Sequence, residues 1–222
     1  MKNITSASKP IPRTESKAIT TLSRIGSFVF HPLFIPAIMT FVLYKAEPRY
    51  FSGISSSEFG RWMSMLALST ILFPFLVIVL LRLSGLISNA RMHDAKDRTV
   101  PLISTLIVYI WTYNFFDHQE KTPLLLQVLL LGSCCALVII FSVNLFYKVS
   151  VHTTAAAIMP GILIVSMMEG RLPVTILPGA IIAALIVGIV RWFLGAHTVG
   201  QILIGYFIGI SMQIAAYFFL KV

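Results

Sequence analysis

Apolar residues dominate this chain in long blocks separated by short polar segments. Seven blocks approach the roughly 20 apolar residues that a helix needs to cross the hydrocarbon of a bilayer: residues 28 to 45, 62 to 83, 99 to 116, 123 to 147, 152 to 168, 174 to 190 and 198 to 220. The pattern predicts an all-α, polytopic membrane helical bundle with about six or seven transmembrane helices. The longest connection, Ala46 to Arg61, carries Pro48, Gly53 and a serine run and reads as a loop, so no soluble domain is expected between the spans. One transmembrane domain, residues 28–222, is the economical organisation. Prolines punctuate it. Pro101 follows Thr99 closely and Pro123 follows Thr122 directly, which predicts helix starts, where a missing amide is harmless and a hydroxyl can cap. Pro36, Pro74 and Pro160 fall inside apolar blocks and predict kinks that neighbouring helices cover.

Composition supports the membrane reading: 57% of residues are hydrophobic and 11% charged, far from the balance of soluble domains. Residues 1–27 contain Lys2, Lys9, Arg13, Lys17 and Arg24 against the single acid Glu15. They read as a basic tail, disordered or lying on the surface, without the clean apolar core and cleavage site of a secretory signal. The net charge of +9 comes from residues gathered at span boundaries, not from a basic stripe interleaved with aromatics. Nucleic acid is therefore not the expected partner, and anionic membrane lipid is. Cys134 and Cys135 are adjacent within one apolar block, which argues against a structural disulfide or a spaced metal-ligand set. The sequence leaves the oligomeric state open.

Tracing the crossings sorts the charges. If every block crosses, Arg91 to Arg98, Lys148, Arg191 and His197 return to the side of the basic tail, while Glu47, Arg49, Glu58, Arg61, Asp117, Glu120, Lys121, Glu169 and Arg171 occupy the other. The tendency of positive charge to stay inside produces part of this pattern by itself. The same tendency puts the tail side in the cytoplasm, at the plasma (inner) membrane. Should residues 28 to 45 fail to cross, the sidedness reverses.

Three basic clusters therefore share one face: Arg91, Lys96 and Arg98; Lys148 with His152; Arg191 with His197. Fixed cations at a low-dielectric boundary suit a phosphate group, guanidinium forks match its oxygens, and phosphoryl transfer depends chiefly on positioning and charge stabilisation. The face has few carboxylates, Asp94 and Asp97, so chemistry without a metal or other cofactor is expected. Such chemistry needs a nucleophile and a separate acid, and two histidines supply both roles. On the last block His197, Gln201, Gly205 and Gly209 recur at intervals of four. They share one helix face, whose glycines would admit a close neighbour.

The segments RMHDAKDRTVP (91 to 101), KVSVHTT (148 to 154) and RWFLGAHTVGQ (191 to 201) resemble, in order and approximate spacing, the three signature motifs of the type 2 phosphatidic acid phosphatase superfamily. The resemblance runs from about residue 62 to the C-terminus and implies that family's fold, with a catalytic core over 62–222. It further implies that Arg91 and Arg98 hold phosphate with Lys96 as an alternative or extra cation, and that Ser150 hydrogen-bonds a phosphate oxygen. His152 would be the general acid, Arg191 a phosphate clamp, and His197 the nucleophile that forms a phosphohistidine. The substrate would be a lipid phosphate or diphosphate. The chain departs from the family pattern where Pro101 lies three residues beyond Arg98, where Val149 and Val151 replace proline and glycine, and where Val190 replaces serine. Most consequential is Gln201, which stands where the family's aspartate orients the nucleophile. An uncharged orienter keeps open a member that binds or moves lipid phosphates without hydrolysis, alongside a lipid phosphotransferase. A small transporter or assembly factor whose charges merely set topology ranks behind these. His31 and His93 receive no role.

Overall fold

The computed structural model describes residue 14 and residues 16–86, 95–170 and 174–222, without the side chains of residues 95–98 and 174. It is helical, with no strand among the described residues. Six helical stretches are long and apolar enough to cross a membrane, and Leu177–Phe193 is a further, shorter apolar helix. The chain is thus a multi-pass membrane protein with about as many spans as the blocks predict.

The first span is broken in the middle. Helix α1 (Lys17–Val29) is followed by a one-turn 3-10 helix (Pro32–Phe34) and then by α2 (Ile35–Ala46). Pro32 cannot donate a backbone hydrogen bond, so the α-helical ladder stops before it, and His31 Nδ1 accepts from the Leu33 amide at 3.4 Å to start the next turn. Much of the expected tail is therefore ordered. Ser16 Oγ accepts from the Ile19 amide at 3.4 Å, and α1 exposes Ile19, Leu22, Ile25 and Phe28, spaced by three, along one side. Residues 1–13 lie outside the described residues.

Helices α3 (Ser56–Ala67) and α4 (Phe73–Leu83) form one continuous span through a π-helical turn at Leu68–Leu72. Pro36 and Pro74 each fall in the first turn of a helix that follows an irregular turn. Their missing amides are thereby absorbed at helix starts, not at kinks within an uninterrupted helix. Near Pro74, Ser69 and Thr70 donate their hydroxyls to the carbonyls of Met65 and Leu66, each at 2.8 Å. Helix α5 (Ala95–Asp117) begins before Pro101, which sits inside it, so the expected start at Thr99 is corrected. The polar segment from Ala95 adds helix that the apolar block does not mark. Helix α6 (Leu124–Asn144) does start with Pro123 as its N-cap residue, but the expected Thr122 cap is not made, and Thr122 Oγ1 is buried without a hydrogen-bond partner among the described residues.

Helices α7 (Val151–Met168), α8 (Leu177–Phe193) and α9 (Val199–Lys221) complete the bundle. Every residue of α7 from Thr153 to Leu163 is buried, Pro160 included, and α2, α6, α8 and α9 pack around it. Lipid tails are as apolar as leucine, so close backbone approach between small residues has to hold such helices together. Gly205 and Gly209 provide it: a Cβ on Gly205 would run into Thr153 Oγ1, and one on Gly209 into the Thr154 carbonyl. The helix that the glycine face admits is α7.

Candidate functional site

Two short connections bring the second and third basic clusters together. In the α6–α7 connection Asn144 Oδ1 accepts from the Val149 amide at 3.0 Å, and Ser150 Oγ accepts from the Thr153 amide at 3.3 Å as the N-cap of α7. His152 is thereby fixed in the first turn of the buried helix. In the α8–α9 connection Gly195 adopts φ +63°, a left-handed conformation that glycine takes without steric cost. The Gly195 amide donates to the Trp192 carbonyl at 2.9 Å and the Ala196 amide to the Arg191 carbonyl at 3.2 Å, the paired bonds of a Schellman helix end. This tight reversal places Arg191, at the end of α8, close to His197, just ahead of α9. The two connections also touch: the Ser150 amide donates to the Gln201 carbonyl at 3.4 Å, and Thr153 Oγ1 donates to the Ile202 carbonyl at 3.3 Å.

His197 is only 7% exposed, and its Nδ1 lies 3.2 Å from Gln201 Oε1. The same Oε1 accepts from the Thr198 amide at 3.1 Å, while Thr198 Oγ1 accepts from the Gln201 amide at 3.4 Å. This reciprocal capping box fixes which way the Gln201 amide faces, because a backbone N–H must meet the oxygen and not the nitrogen. An acceptor facing Nδ1 assigns the imidazole proton to Nδ1 and makes Nε2 the unprotonated nitrogen.

Arg191, His152 and His197 line one cavity of about 480 Å³ together with Lys148, Arg24 and His31. Arg191 Nη1 donates to Ser27 Oγ at 3.4 Å, while its buried Nε has no hydrogen-bond partner among the described residues. The His31 and His152 rings meet edge to face with centroids 5.4 Å apart. Away from the charges the wall consists of spans, with Leu102, Leu137, Ile140 and Ile158 among its residues. Two of its hydroxyls are already engaged: Ser133 donates to the Leu129 carbonyl at 2.6 Å and Thr105 to the Pro101 carbonyl at 2.7 Å. A space with cations and imidazoles at one end and hydrocarbon elsewhere fits an amphiphile with an anionic head.

Of the residues singled out in the sequence, His152, Arg191 and His197 face this cavity, and Gln201 stands behind His197. Ser150 is fully buried, its hydroxyl oxygen caps α7, and it is not among the lining residues. Arg91 lies outside the described residues, as do the side chains of Lys96 and Arg98, although their backbone forms the first turn of α5.

Sequence reasoning missed Arg24, Ser27 and His31. The signal was present, since these residues recur at intervals of three and four, the spacing of one helix face, and His31 interrupts an apolar block just before a proline. Comparison of the chain with protein-family models, with curated proteins and with solved structures found no match in any of the three.

Proposed function

We propose that this chain is a metal-independent membrane phosphatase that hydrolyses a lipid phosphate or lipid diphosphate, as its resemblance to the type 2 phosphatidic acid phosphatase superfamily implies. The observation that carries this reading is the shared cavity. Residues as distant in sequence as Arg24, Lys148, His152, Arg191 and His197 line it, and most of the rest of its wall is apolar. A phosphate head would sit against Arg191, Lys148 and Arg24, and the apolar tail would lie between the spans. His197 Nε2, whose lone pair follows from the hydrogen bond at Nδ1, would attack phosphorus. As the P–O bond to the leaving group breaks, His152, carrying a proton brought in with the phosphate anion that offsets its charge, gives that proton to the departing oxygen. Water then attacks the phosphohistidine, His152 takes up the water's proton, and phosphate leaves with His197 restored. The fixed cations stabilise the charge that spreads over the phosphoryl oxygens.

The test is phosphate release from phosphatidic acid and from a polyprenyl diphosphate by the purified protein in detergent. His197→Ala should lower the rate by at least about 10³-fold, the scale on which nucleophiles act, and undiminished release would remove His197 from that role. One observation favours a second reading. Gln201 is uncharged, and a site that holds lipid phosphates without turning them over, for binding or transport, would give saturable binding and no phosphate in the same assay. Transfer of the phosphoryl group to an alcohol in place of water would mark a phosphotransferase.

We further infer that the site faces the cytoplasm at the plasma (inner) membrane, from the excess of basic residues at that end. Ser84 follows α4 at the site end and is exposed. A cysteine introduced there, in a background without Cys134 and Cys135, should resist a membrane-impermeant thiol reagent until cells are opened. Labelling of intact cells would reverse the orientation.

A further inference from the structure

We propose that His31, at the break in the first span, is a positioning residue for His152 and holds that ring at the angle from which it protonates the leaving oxygen. The inference rests on the phosphatase reading above.

The two candidate catalytic rings are held by different means. His197 is oriented by a hydrogen bond to Gln201. His152 has no hydrogen-bond partner among the described residues, and the group against it is the His31 ring, at 5.4 Å between centroids and 81° between planes. Such edge-to-face contact is directional and can select one orientation of an imidazole. His31 is suited to this because it is itself held on two sides. Its Nδ1 accepts from the Leu33 amide, and its ring meets Phe34 at 6.0 Å, which in turn meets Phe28 at 6.1 Å. The bond from the Leu33 amide also assigns the proton of His31 to Nε2 and leaves the ring neutral. A neutral neighbour packs against protonated His152 without the repulsion of a second imidazolium.

This arrangement gives the break in the first span a purpose. An unbroken helix through Phe30 and Pro32 would have no exposed cap residue here, whereas the break turns a capping histidine toward the cavity with Arg24 and Ser27 on the same side.

A positioning role for the acid has a signature that a folding role lacks: it matters most when the leaving group is a strong base. The substrates are dodecyl phosphate, whose alkoxide must be protonated, and a 4-nitrophenyl phosphate carrying a dodecyl chain, whose leaving phenolate needs no proton. The variants are His31→Ala and His31→Asn. Asn retains an oxygen able to cap the Leu33 amide, so the start of the 3-10 turn survives while the ring is lost. Both variants should lower kcat for the alkyl ester about 10- to 100-fold and for the aryl ester less than about threefold. An equal fall on both esters, or no fall on the alkyl ester with Asn, overturns the proposal. Wild-type protein that cleaves only the aryl ester overturns it as well, because the acid is then unused. Wild-type protein that cleaves neither ester, nor the lipids of the preceding assay, refutes the phosphatase reading itself.

Discussion

At the end of the bundle built from the α2–α3, α5–α6 and α7–α8 connections, Arg49 Nε donates to Glu47 Oε1 at 2.9 Å, Lys121 lies 3.7 Å from Glu58, and Lys221 of α9 reaches Glu169 at 2.7 Å. At the other end Arg24, Lys148 and Arg191 line a cavity together with His31, His152 and His197. At the first end three cations lie against carboxylates, while at the second three cations line a common space. Arg191 makes the contrast sharpest. Leaving a buried donor unsatisfied costs about 1–3 kcal/mol, and its Nε is such a donor. An oxygen-rich anion in the cavity would meet the Arg191 guanidinium, which has no carboxylate partner among the described residues.

The largest expected effect tests this contrast directly. Arg191→Ala should lower kcat/KM for a lipid phosphate by about 10²–10³-fold, the range seen when one preorganised donor to a developing oxyanion is removed. Lys221→Ala, which removes the cation paired with Glu169 at the opposite end, should leave the same rate within about twofold, since neither residue lines the cavity. Phosphate-release kinetics on both purified variants decide the matter. Equal losses would mean that the charges at the two ends differ in position but not in function, and the comparison would fail.

How much of this was legible in the residues depends on what each inference needed. Span number and type follow from apolar block length alone, because a bilayer imposes a minimum on any helix that crosses it. Where the chain breaks did not follow so easily. Residues 28 to 45 read as one block, yet Pro32 with a capping His31 splits it, and the polar start of α5 is invisible to a hydropathy pattern. For the site, the pairing of His152 with His197 was readable from order and spacing. Gly205 and Gly209 pointed correctly to a close helix neighbour, since small residues at intervals of four have few other uses in a membrane. The capping task of Ser150 was not read from the sequence, because a serine ahead of an apolar helix can serve a ligand or cap the helix, and the bond from the Thr153 amide shows the cap. Arg24, Ser27 and His31 were overlooked because basic and polar residues before a first span are ordinary anchors when taken one at a time. Their shared face acquires meaning only once Ser27 is seen beside Arg191.

A smaller effect sharpens the comparison from within the site end. Gln201 orients His197 through an uncharged oxygen, whereas every acid at the opposite end named above brings a full charge to its partner. In serine-protease triads replacing the orienting aspartate by asparagine costs about 10⁴ in rate because the histidine takes the wrong tautomer. That penalty does not apply here, since the Thr198 amide pins Gln201 Oε1 toward Nδ1. What is missing is only the charge that would stabilise the imidazolium of the phosphohistidine. Gln201→Glu keeps side-chain length and remains favourable at the third position of a capping box, and a carboxylate near a helix N-terminus is favourable electrostatically. The variant should therefore raise kcat about 10-fold, which corresponds to about 1.4 kcal/mol of transition-state stabilisation. Pre-steady-state measurement of phosphoenzyme formation isolates the step concerned. A clear fall in that rate would mean that the negative charge competes with phosphate for Arg191 and Lys148. The uncharged orienter would then be the form this particular pocket requires.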